Sequence, residues 1–225
     1  LARWYQDGGC RVAILSRGYG GQATGINLIS DGSRILLKPP QAGDEAYWLA
    51  LKLPGVPVVT GGDRYTAGLQ AWEAFRPELI LLDDGFQHFQ LHRDLDVVLL
   101  DAARPFGNGW LLPRGPLREP RHTLRRPLVL VLSRYEEARH GPTYEALGAE
   151  FPDAVIVRAA FRLSRAVAQV RGLGLDGLVT TEKDLVKLDK NWFVNIHLFV
   201  VSLEVSLLDS WPEHLLPLPC LKRDL

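Results

Sequence analysis

Short apolar runs alternate with helical patterns along most of the chain, and this alternation predicts the fold class. Five runs are apolar enough for buried strands: Arg11–Ser16, Val56–Thr60, Glu78–Asp83, Asp96–Asp101 and Leu128–Ser133. Four stretches have helical patterns: Asp44–Leu53, Tyr65–Phe75, Tyr144–Phe151 and Thr181–Leu188. Continuous apolar strands separated by helices are typical of a sheet that helices cover on both faces. We therefore predict an α/β fold with a doubly wound, mostly parallel sheet.

A segment rich in proline and arginine, residues 104–126, interrupts this alternation. It contains Pro105, Pro113, Pro116 and Pro120, too many prolines for a helix or a central strand. Long ordered loops inside compact domains are uncommon and are often functional. The chain has 225 residues, which is enough for one large α/β domain or two small ones. We predict a core domain over residues 1–126 and a smaller C-terminal α/β subdomain over residues 127–225.

The charge of the chain is balanced overall but not locally. Lysine plus arginine equals aspartate plus glutamate at 26 each, so net charge gives no argument for a nucleic acid partner. Residues 114–126 contain five arginines against one acid, Glu119. Such a basic patch can meet phosphate or an anionic membrane surface. The sequence contains no apolar run long enough to span a membrane.

Two adjacent acids directly follow one of the predicted strands. The apolar residues 79–82 run into Asp83 and Asp84, and Gly85 then ends the strand. Ligands of α/β proteins bind at the carboxyl ends of strands, and Mg²⁺ prefers oxygen ligands and usually arrives with nucleotide phosphates. These acids therefore indicate a Walker-B-like metal site. The alternative is an ordinary strand-to-turn junction with Asp-Gly as the turn.

Two further motifs follow predicted strands or open predicted helices. The glycine-rich loop at residues 16–21 lets the backbone approach a ligand closely, and Arg17 can pair with an anion. Asp44 and Glu45 open a helix, where a carboxylate can accept a proton from a substrate hydroxyl. The alternatives are a simple glycine-rich turn and plain capping of the helix dipole.

The interrupting segment itself has a composition that favours a defined path. Residues 106–120 combine glycines and prolines with Arg114 and Arg118, and arginine is suited to bidentate contact with phosphate. The alternative is a solvated loop with incidental arginines. Among the histidines, only His88 has a suggestive position, beside the paired acids. Residues 180–184, Thr-Thr-Glu-Lys-Asp, form either a ligand edge or an ordinary helix cap.

Taken in order, these motifs resemble the tetraacyldisaccharide 4'-kinase family of lipid A biosynthesis. The resemblance rests on Ser-Arg-Gly-Tyr-Gly-Gly at 16–21, Gly-Asp-Glu at 43–45, Asp-Asp-Gly-Phe-Gln-His at 83–88, Arg-Asp-Leu-Asp-Val-Val-Leu-Leu-Asp at 93–101, the block at 106–120 and Thr-Glu-Lys-Asp at 181–184. It implies a P-loop NTPase-like fold and transfer of the γ-phosphate of ATP to the 4'-hydroxyl of tetraacyldisaccharide 1-phosphate, giving lipid IVA. It also implies Mg²⁺, a lipid A precursor and a membrane surface as partners, no nucleic acid, and a peripheral position on the cytoplasmic face of the inner membrane.

The resemblance also implies roles for individual residues. Asp44 is expected to help deprotonate the 4'-hydroxyl. Glu45 and Asp83 are expected at the Mg²⁺ site, with Asp84 in support. The residues expected to grip the disaccharide and its phosphate are Arg17, Tyr19, Gln87, His88, Arg114 and Arg118.

Two parts of the family pattern do not occur among these residues. The chain has no methionine and opens in a helical pattern at Leu1–Gln6, so we expect the Walker A loop and a membrane-seating helix upstream of Leu1. We also expect a histidine-bearing segment between the strands near Val155 and Leu178, where residues 160–165 contain no histidine. Without Walker A the phosphates lose most of their cradle. We therefore expect residues 1–225 alone to be catalytically inactive, and the nucleotide-binding residues of that loop stay unknown.

Two competing hypotheses belong to other classes of protein. The first is a non-catalytic remnant that binds a lipid or a sugar phosphate, which the missing motifs favour. The second is a P-loop ATPase that uses hydrolysis as a switch, which the strand ending in Asp83 and Asp84 permits. The rigid block at 106–120 argues against a switch, because a switch does not need so much specific architecture.

Overall fold

The computed structural model describes residues 1–124, 128–169, 178–181 and 198–211. These residues form two compact units. Unit 1 contains residues 1–92 and the described part of 167–201, and unit 2 contains the described parts of 93–166 and 202–217. Within the described residues, no helix is both long and apolar enough to cross a membrane.

Unit 1 is built on a four-stranded sheet with the strand order β2-β3-β1-β4. The strands are β1 (Val12–Ser16), β2 (Asn27–Asp31), β3 (Pro57–Thr60) and β4 (Leu79–Leu82), and the helices are α1 (Ala2–Asp7), α2 (Asp44–Lys52) and α3 (Arg64–Phe75). Strands β3 and β4 both pair with β1 in parallel, and β2 pairs with β3 in antiparallel. The carboxyl ends of β1, β3 and β4 therefore lie at one edge of the sheet.

One part of the core of unit 1 lies between the sheet and α3. Every residue of β1 and β3 is buried. Leu15 and Val59 pack with Ala67 and Ala71 of α3, and the small alanines let the helix approach the sheet closely. Removing this apolar surface from water stabilises the strand ends that carry the polar motifs.

Unit 2 contains a second, mainly parallel sheet in which β5, β6 and β7 are consecutive neighbours and β9 follows β7. Its elements are β5 (Asp96–Asp101), a 3₁₀ helix (Arg121–Thr123), β6 (Leu128–Ser133), α4 (Glu137–Glu150), β7 (Val155–Gln169) and β9 (Leu198–Leu207). Strand β8 (Leu178–Thr181) pairs in parallel with residues 198–201 at the beginning of β9. Both of these segments belong to unit 1. Val129 and Val131 pack against Val157 and Ala159 in the core of unit 2.

The α/β fold with mostly parallel strands is confirmed, and all five predicted strands are present with bounds shifted by a residue at most. Strand β2 is an addition that the pattern did not predict. Helix α4 begins at Glu137 rather than Tyr144, and it passes through Pro142. Thr181 is the last residue of β8, and the rest of the predicted helix at 181–188 lies outside the described residues.

The predicted domain boundary after residue 126 stays a prediction. The compact units divide between His92 and Arg93. The reason is that β5 pairs along its whole length with β6, from Asp96 opposite Leu128 to Asp101 opposite Ser133.

Candidate functional site

The carboxyl ends of the three parallel strands of unit 1 are tied together by hydrogen bonds. The Ser16 hydroxyl, at the end of β1, donates to Oδ2 of Asp83 over 3.2 Å. The backbone N–H of Asp83 donates to the Leu15 carbonyl over 2.8 Å, and that of Gly61 donates to the Ser16 carbonyl over 3.1 Å. Residues that follow β3 and β4 are therefore held beside the end of β1.

The glycine-rich loop after β1 lies directly against the beginning of α2. Gly43, the N-cap of α2, has φ +75°, and a Cβ there would lie 2.6 Å from the Tyr19 carbonyl oxygen. A Cβ on Gly21 would lie 2.7 Å from the Gln41 carbonyl oxygen. Only glycine allows two backbones to approach so closely. This contact brings Asp44, the first residue of α2, to the glycine-rich loop.

Three carboxylates form an acidic group at this edge. Burial raises the pKa of Asp83 above its ordinary value, and the charges of Glu45 and Asp84 raise it further. The Ser16 hydroxyl and the Arg64 guanidinium act in the opposite direction. Burial therefore disfavours the charged form of Asp83 relative to the protonated form, and a nearby cation stabilises the charged form.

Arg64 is a site residue that the sequence analysis missed. It is the first residue of α3, only 3% of it is exposed, and its Nη1 donates to the Gly61 carbonyl. Its Nε is buried and has no hydrogen-bond partner among the described residues. Burial lowers the pKa of Arg64, the Arg17 charge lowers it further, and Asp83 and Asp84 raise it. A buried arginine whose pKa is shifted both by burial and by neighbouring carboxylates is a candidate site residue.

A local signal in the sequence could have identified Arg64. Residues 61–64, Gly-Gly-Asp-Arg, follow a buried strand, as the other two motifs of this edge do. Asp63 caps α3 by accepting hydrogen bonds from the N–H groups of Tyr65 (3.0 Å) and Thr66 (3.2 Å). The Thr66 hydroxyl is the main cause that lowers the pKa of Asp63, and the charge of His88 adds to it. His88 therefore lies within electrostatic reach of the beginning of α3.

The chain is similar in sequence to proteins of a known family. The sequence model of the family described as "Tetraacyldisaccharide-1-P 4'-kinase" matches residues 1–173. The chain belongs to this family. A tetraacyldisaccharide 4'-kinase of Syntrophus aciditrophicus is 51% identical over 133 residues, which cover 58% of this chain and 36% of that protein. The corresponding enzyme of Anaeromyxobacter sp. (strain Fw109-5) is 53% identical over 130 residues, 58% of this chain and 35% of that protein. The chain thus spans little more than a third of the length of these relatives.

A solved structure has the same fold. The crystal structure of LpxK from Aquifex aeolicus in complex with ATP superposes with a TM-score of 0.70 and 28% sequence identity. The superposition covers 92% of this chain and 77% of that one. The P-loop NTPase-like fold class expected from the motifs is therefore confirmed.

The structure brings most of the predicted residues of this family member into unit 1. Glu45, Asp83 and Asp84 interact electrostatically, and Arg17 acts on the neighbouring Arg64. Tyr19 is 79% exposed on the glycine-rich loop. Gln87 and His88 lie in the turns after Asp84, where the His88 N–H donates to the Gly85 carbonyl over 3.0 Å.

The two predicted arginines of the interrupting segment belong to unit 2. Both Arg114 and Arg118 are exposed. The Arg114 guanidinium lies 3.8 Å from the centre of the Trp110 ring. Their participation in the site of unit 1 stays a prediction.

Proposed function

We propose that this chain is part of an ATP-dependent kinase that phosphorylates the 4'-hydroxyl of tetraacyldisaccharide 1-phosphate and produces lipid IVA. The observation that carries the proposal is the meeting of Asp44, the acidic group around Asp83 and the buried Arg64 at one sheet edge. Phosphoryl transfer needs a placed nucleophile, a metal and cationic groups near the phosphoryl oxygens. Asp44 would activate the nucleophile, the acidic group would hold the metal, and Arg64 supplies a cation.

Asp44 is the proposed general base. Its place at the first position of α2, against the glycine-rich loop, fixes the carboxylate on a regular element. A substrate hydroxyl held at that loop would give its proton to this carboxylate as the oxygen attacks the γ-phosphorus, and the bond from that phosphorus to the β,γ-bridging oxygen would break and release ADP. General base catalysis of this kind contributes about 10²–10⁴-fold to a rate.

The acidic group of Glu45, Asp83 and Asp84 fits Mg²⁺ bound together with a nucleotide. Mg²⁺ is usually held by one or two protein carboxylates, with waters and phosphate oxygens completing its shell. Within the described residues, no three histidine, cysteine or acidic side chains are spaced to hold a metal by themselves. The raised pKa of Asp83 points to a carboxylate that a cation would stabilise. When bound, the ion would neutralise charge on the transferring phosphoryl group.

The remaining side chains of unit 1 suit the acceptor. Arg17 and Arg64 are cations within electrostatic reach of each other, and Tyr19, Gln87 and His88 add hydrogen-bonding groups for sugar hydroxyls.

Arg114 and Arg118 are proposed to contact the phosphate of the disaccharide, for which bidentate arginine contact is suited. The lipid substrate places the protein peripherally at the cytoplasmic face of the inner membrane.

Transfer of phosphate from [γ-³²P]ATP to tetraacyldisaccharide 1-phosphate in detergent micelles tests the proposal. The assay uses the protein from the complete reading frame that encodes these residues, with residues 1–225 alone in parallel. We expect ATP-dependent transfer by the protein of the complete reading frame, and transfer by neither protein would contradict the proposal. Asp44→Asn should lower kcat by about 10²–10⁴-fold with little change in KM.

Asp153→Asn is the matched control, because it makes the same chemical change at an exposed position outside the family motifs. It should leave kcat unchanged. If Asp44→Asn keeps the kcat of the wild type, the base assignment is wrong. If the complete protein binds the lipid precursor but transfers no phosphate, the binding-remnant hypothesis replaces the kinase.

A further inference from the structure

Three consecutive large apolar side chains are exposed on unit 2. Trp110, Leu111 and Leu112 are 51%, 42% and 63% exposed, respectively. They belong to residues 106–120, which we call the apolar loop. Contiguous exposed apolar surface of this kind marks an interaction site in a soluble domain.

The apolar loop is locked in the conformation that exposes these side chains. The N–H of Leu112 donates to the Leu117 carbonyl over 2.9 Å, and that of Leu117 donates to the Trp110 carbonyl over 3.2 Å. The Asn108 amide donates to the Arg114 carbonyl over 3.0 Å. A Cβ on Gly115 would collide with the Trp110 carbonyl oxygen. The backbone therefore cannot turn the three side chains inward without losing these contacts.

Two aromatic rings of the apolar loop have a guanidinium stacked on them. The Arg114 guanidinium lies 3.8 Å from the centre of the Trp110 ring, and that of Arg121 lies 3.9 Å from the centre of the Phe106 ring. Residues 104–124 contain four arginines and one acid, Glu119. A tryptophan beside an arginine suits the boundary of a bilayer, where the ring lies among the headgroups and the charge meets lipid phosphate.

A cavity with both apolar and charged walls lies beside the apolar loop. Its volume is about 390 Å³, and Leu111, Leu117 and Phe151 give it apolar walls. Pockets that take small ligands have volumes of about 300–1,000 Å³. Arg121 lines the same cavity and forms an ion pair with Glu150.

We propose that the apolar loop is a membrane-contact surface, which inserts Trp110, Leu111 and Leu112 into the headgroup region of an anionic bilayer. The arginines of residues 104–124 indicate an anionic partner. Anionic lipids attract basic segments at a membrane surface, whereas an uncharged apolar partner would not attract them. The inference deepens the proposed function, on which it rests, since a tetraacylated substrate has to be taken from a membrane. It identifies the surface that meets that membrane.

A second exposed apolar row provides a matched control. Tyr65, Leu69 and Trp72 lie on α3 of unit 1, and Leu69 and Trp72 are 44% and 47% exposed. The Arg76 guanidinium lies 3.8 Å from the centre of the Trp72 ring, the same distance as in the Arg114–Trp110 pair. The sequence around this row includes Asp63, Glu73 and Glu78, so it lacks the excess of basic residues.

Vesicle sedimentation of the 225-residue chain tests the proposal. The vesicles contain phosphatidylcholine with or without phosphatidylglycerol, and no lipid A precursor or ATP is present. We expect binding to the anionic vesicles that high salt weakens. Trp110→Gln with Leu112→Gln should lower the partition coefficient by about tenfold or more, because half-exposed tryptophan and leucine side chains lose their burial in the interface. Trp72→Gln with Leu69→Gln should leave it unchanged.

The proposal is overturned if the wild-type chain fails to bind anionic vesicles at low salt. It is also overturned if both double variants lower binding equally, because the loop would then have no special role. Phosphate transfer to the precursor in detergent micelles separates this result from the proposed function. Transfer by the complete protein without vesicle binding would reject the membrane surface and leave the kinase proposal intact.

Discussion

Gly43 joins the glycine-rich loop to the helix that carries Asp44, and Gly43→Ala perturbs this junction directly. The residue has φ +75° and ψ 149°, a backbone region that residues with a side chain rarely adopt. A Cβ there would lie 2.6 Å from the Tyr19 carbonyl oxygen and 3.1 Å from the Gly21 nitrogen. Both neighbours are backbone atoms, so no side-chain rotation can relieve the contact.

Two costs add to the expected loss of stability. Holding alanine in this backbone region costs about 1–3 kcal/mol. Displacing packed backbone to make room for the methyl group costs about 1–3 kcal/mol more. We expect the free energy of opening unit 1 to fall by about 2–6 kcal/mol. We also expect kcat of the complete protein to fall, because Asp44 would move with the beginning of α2.

Amide hydrogen exchange of Leu15 and Val59 provides the measurement. Both residues belong to the core of unit 1, so their exchange reports its opening without assuming that the two units unfold together. Gly20→Ala is the matched control, because Gly20 also has φ +75° but no atom lies within 4 Å of its added Cβ. It should lose about 1–2 kcal/mol from the left-handed backbone alone.

Equal losses for Gly43→Ala and Gly20→Ala would refute the reasoning. The close approach of the loop to α2 would then contribute nothing, and the position of Asp44 would not depend on it. A loss confined to kcat, with unchanged exchange, would refute the stability argument while leaving the role of Asp44 in place.

Two further predictions concern ion pairs of unit 2. Asp96→Ala should destabilise the protein by about 3–5 kcal/mol in urea unfolding, because the Arg93 side chain, only 11% exposed, would lose the carboxylate that its Nε meets at 2.7 Å. Glu136→Ala removes an exposed ion pair with Arg139 and should lower the free energy of unfolding by at most about 1 kcal/mol. Equal losses for the two variants would contradict the role of burial. Asp209 accepts hydrogen bonds from the Arg158 guanidinium, and these lower its pKa below the value in the unfolded chain. The stability that it contributes should therefore be present at neutral pH and disappear as the pH falls through the folded-state pKa, so wild type and Asp209→Asn should converge in acid and differ at pH 7. A difference that stays constant with pH would count against this linkage.

The strands that support the site are readable from the sequence because each is a local feature. β1, β3 and β4 are continuous apolar runs, and each is followed by a polar residue or by glycine. Ser16 and Asp83 therefore stand at predicted strand ends, and the family motifs are carried on those ends. The placement of Asp44 at the first position of α2 was equally local, since acids favour a first helical turn.

The errors occur where long-range contacts outweigh local pattern. Strand β2 (Asn27–Asp31) contains polar residues and has a register irregularity between Leu28 and Ser30. Its composition alone does not favour a strand, and its pairing with β3 stabilises the extended conformation. Helix α4 includes Pro142, which local propensity disfavours.

The sequence by itself determined the fold class, the main strands and the residues that the family motifs mark. Only the tertiary structure decided the strand order β2-β3-β1-β4, the hydrogen bond between Ser16 and Asp83, and the burial of Arg64 beside the acidic group. The physical reason is that periodicity and turn chemistry act over a few residues, whereas the environment of a charge depends on atoms brought together from distant parts of the chain. Arg64 in sequence is one arginine at a helix start, and in the fold it is a buried cation that an anion would stabilise.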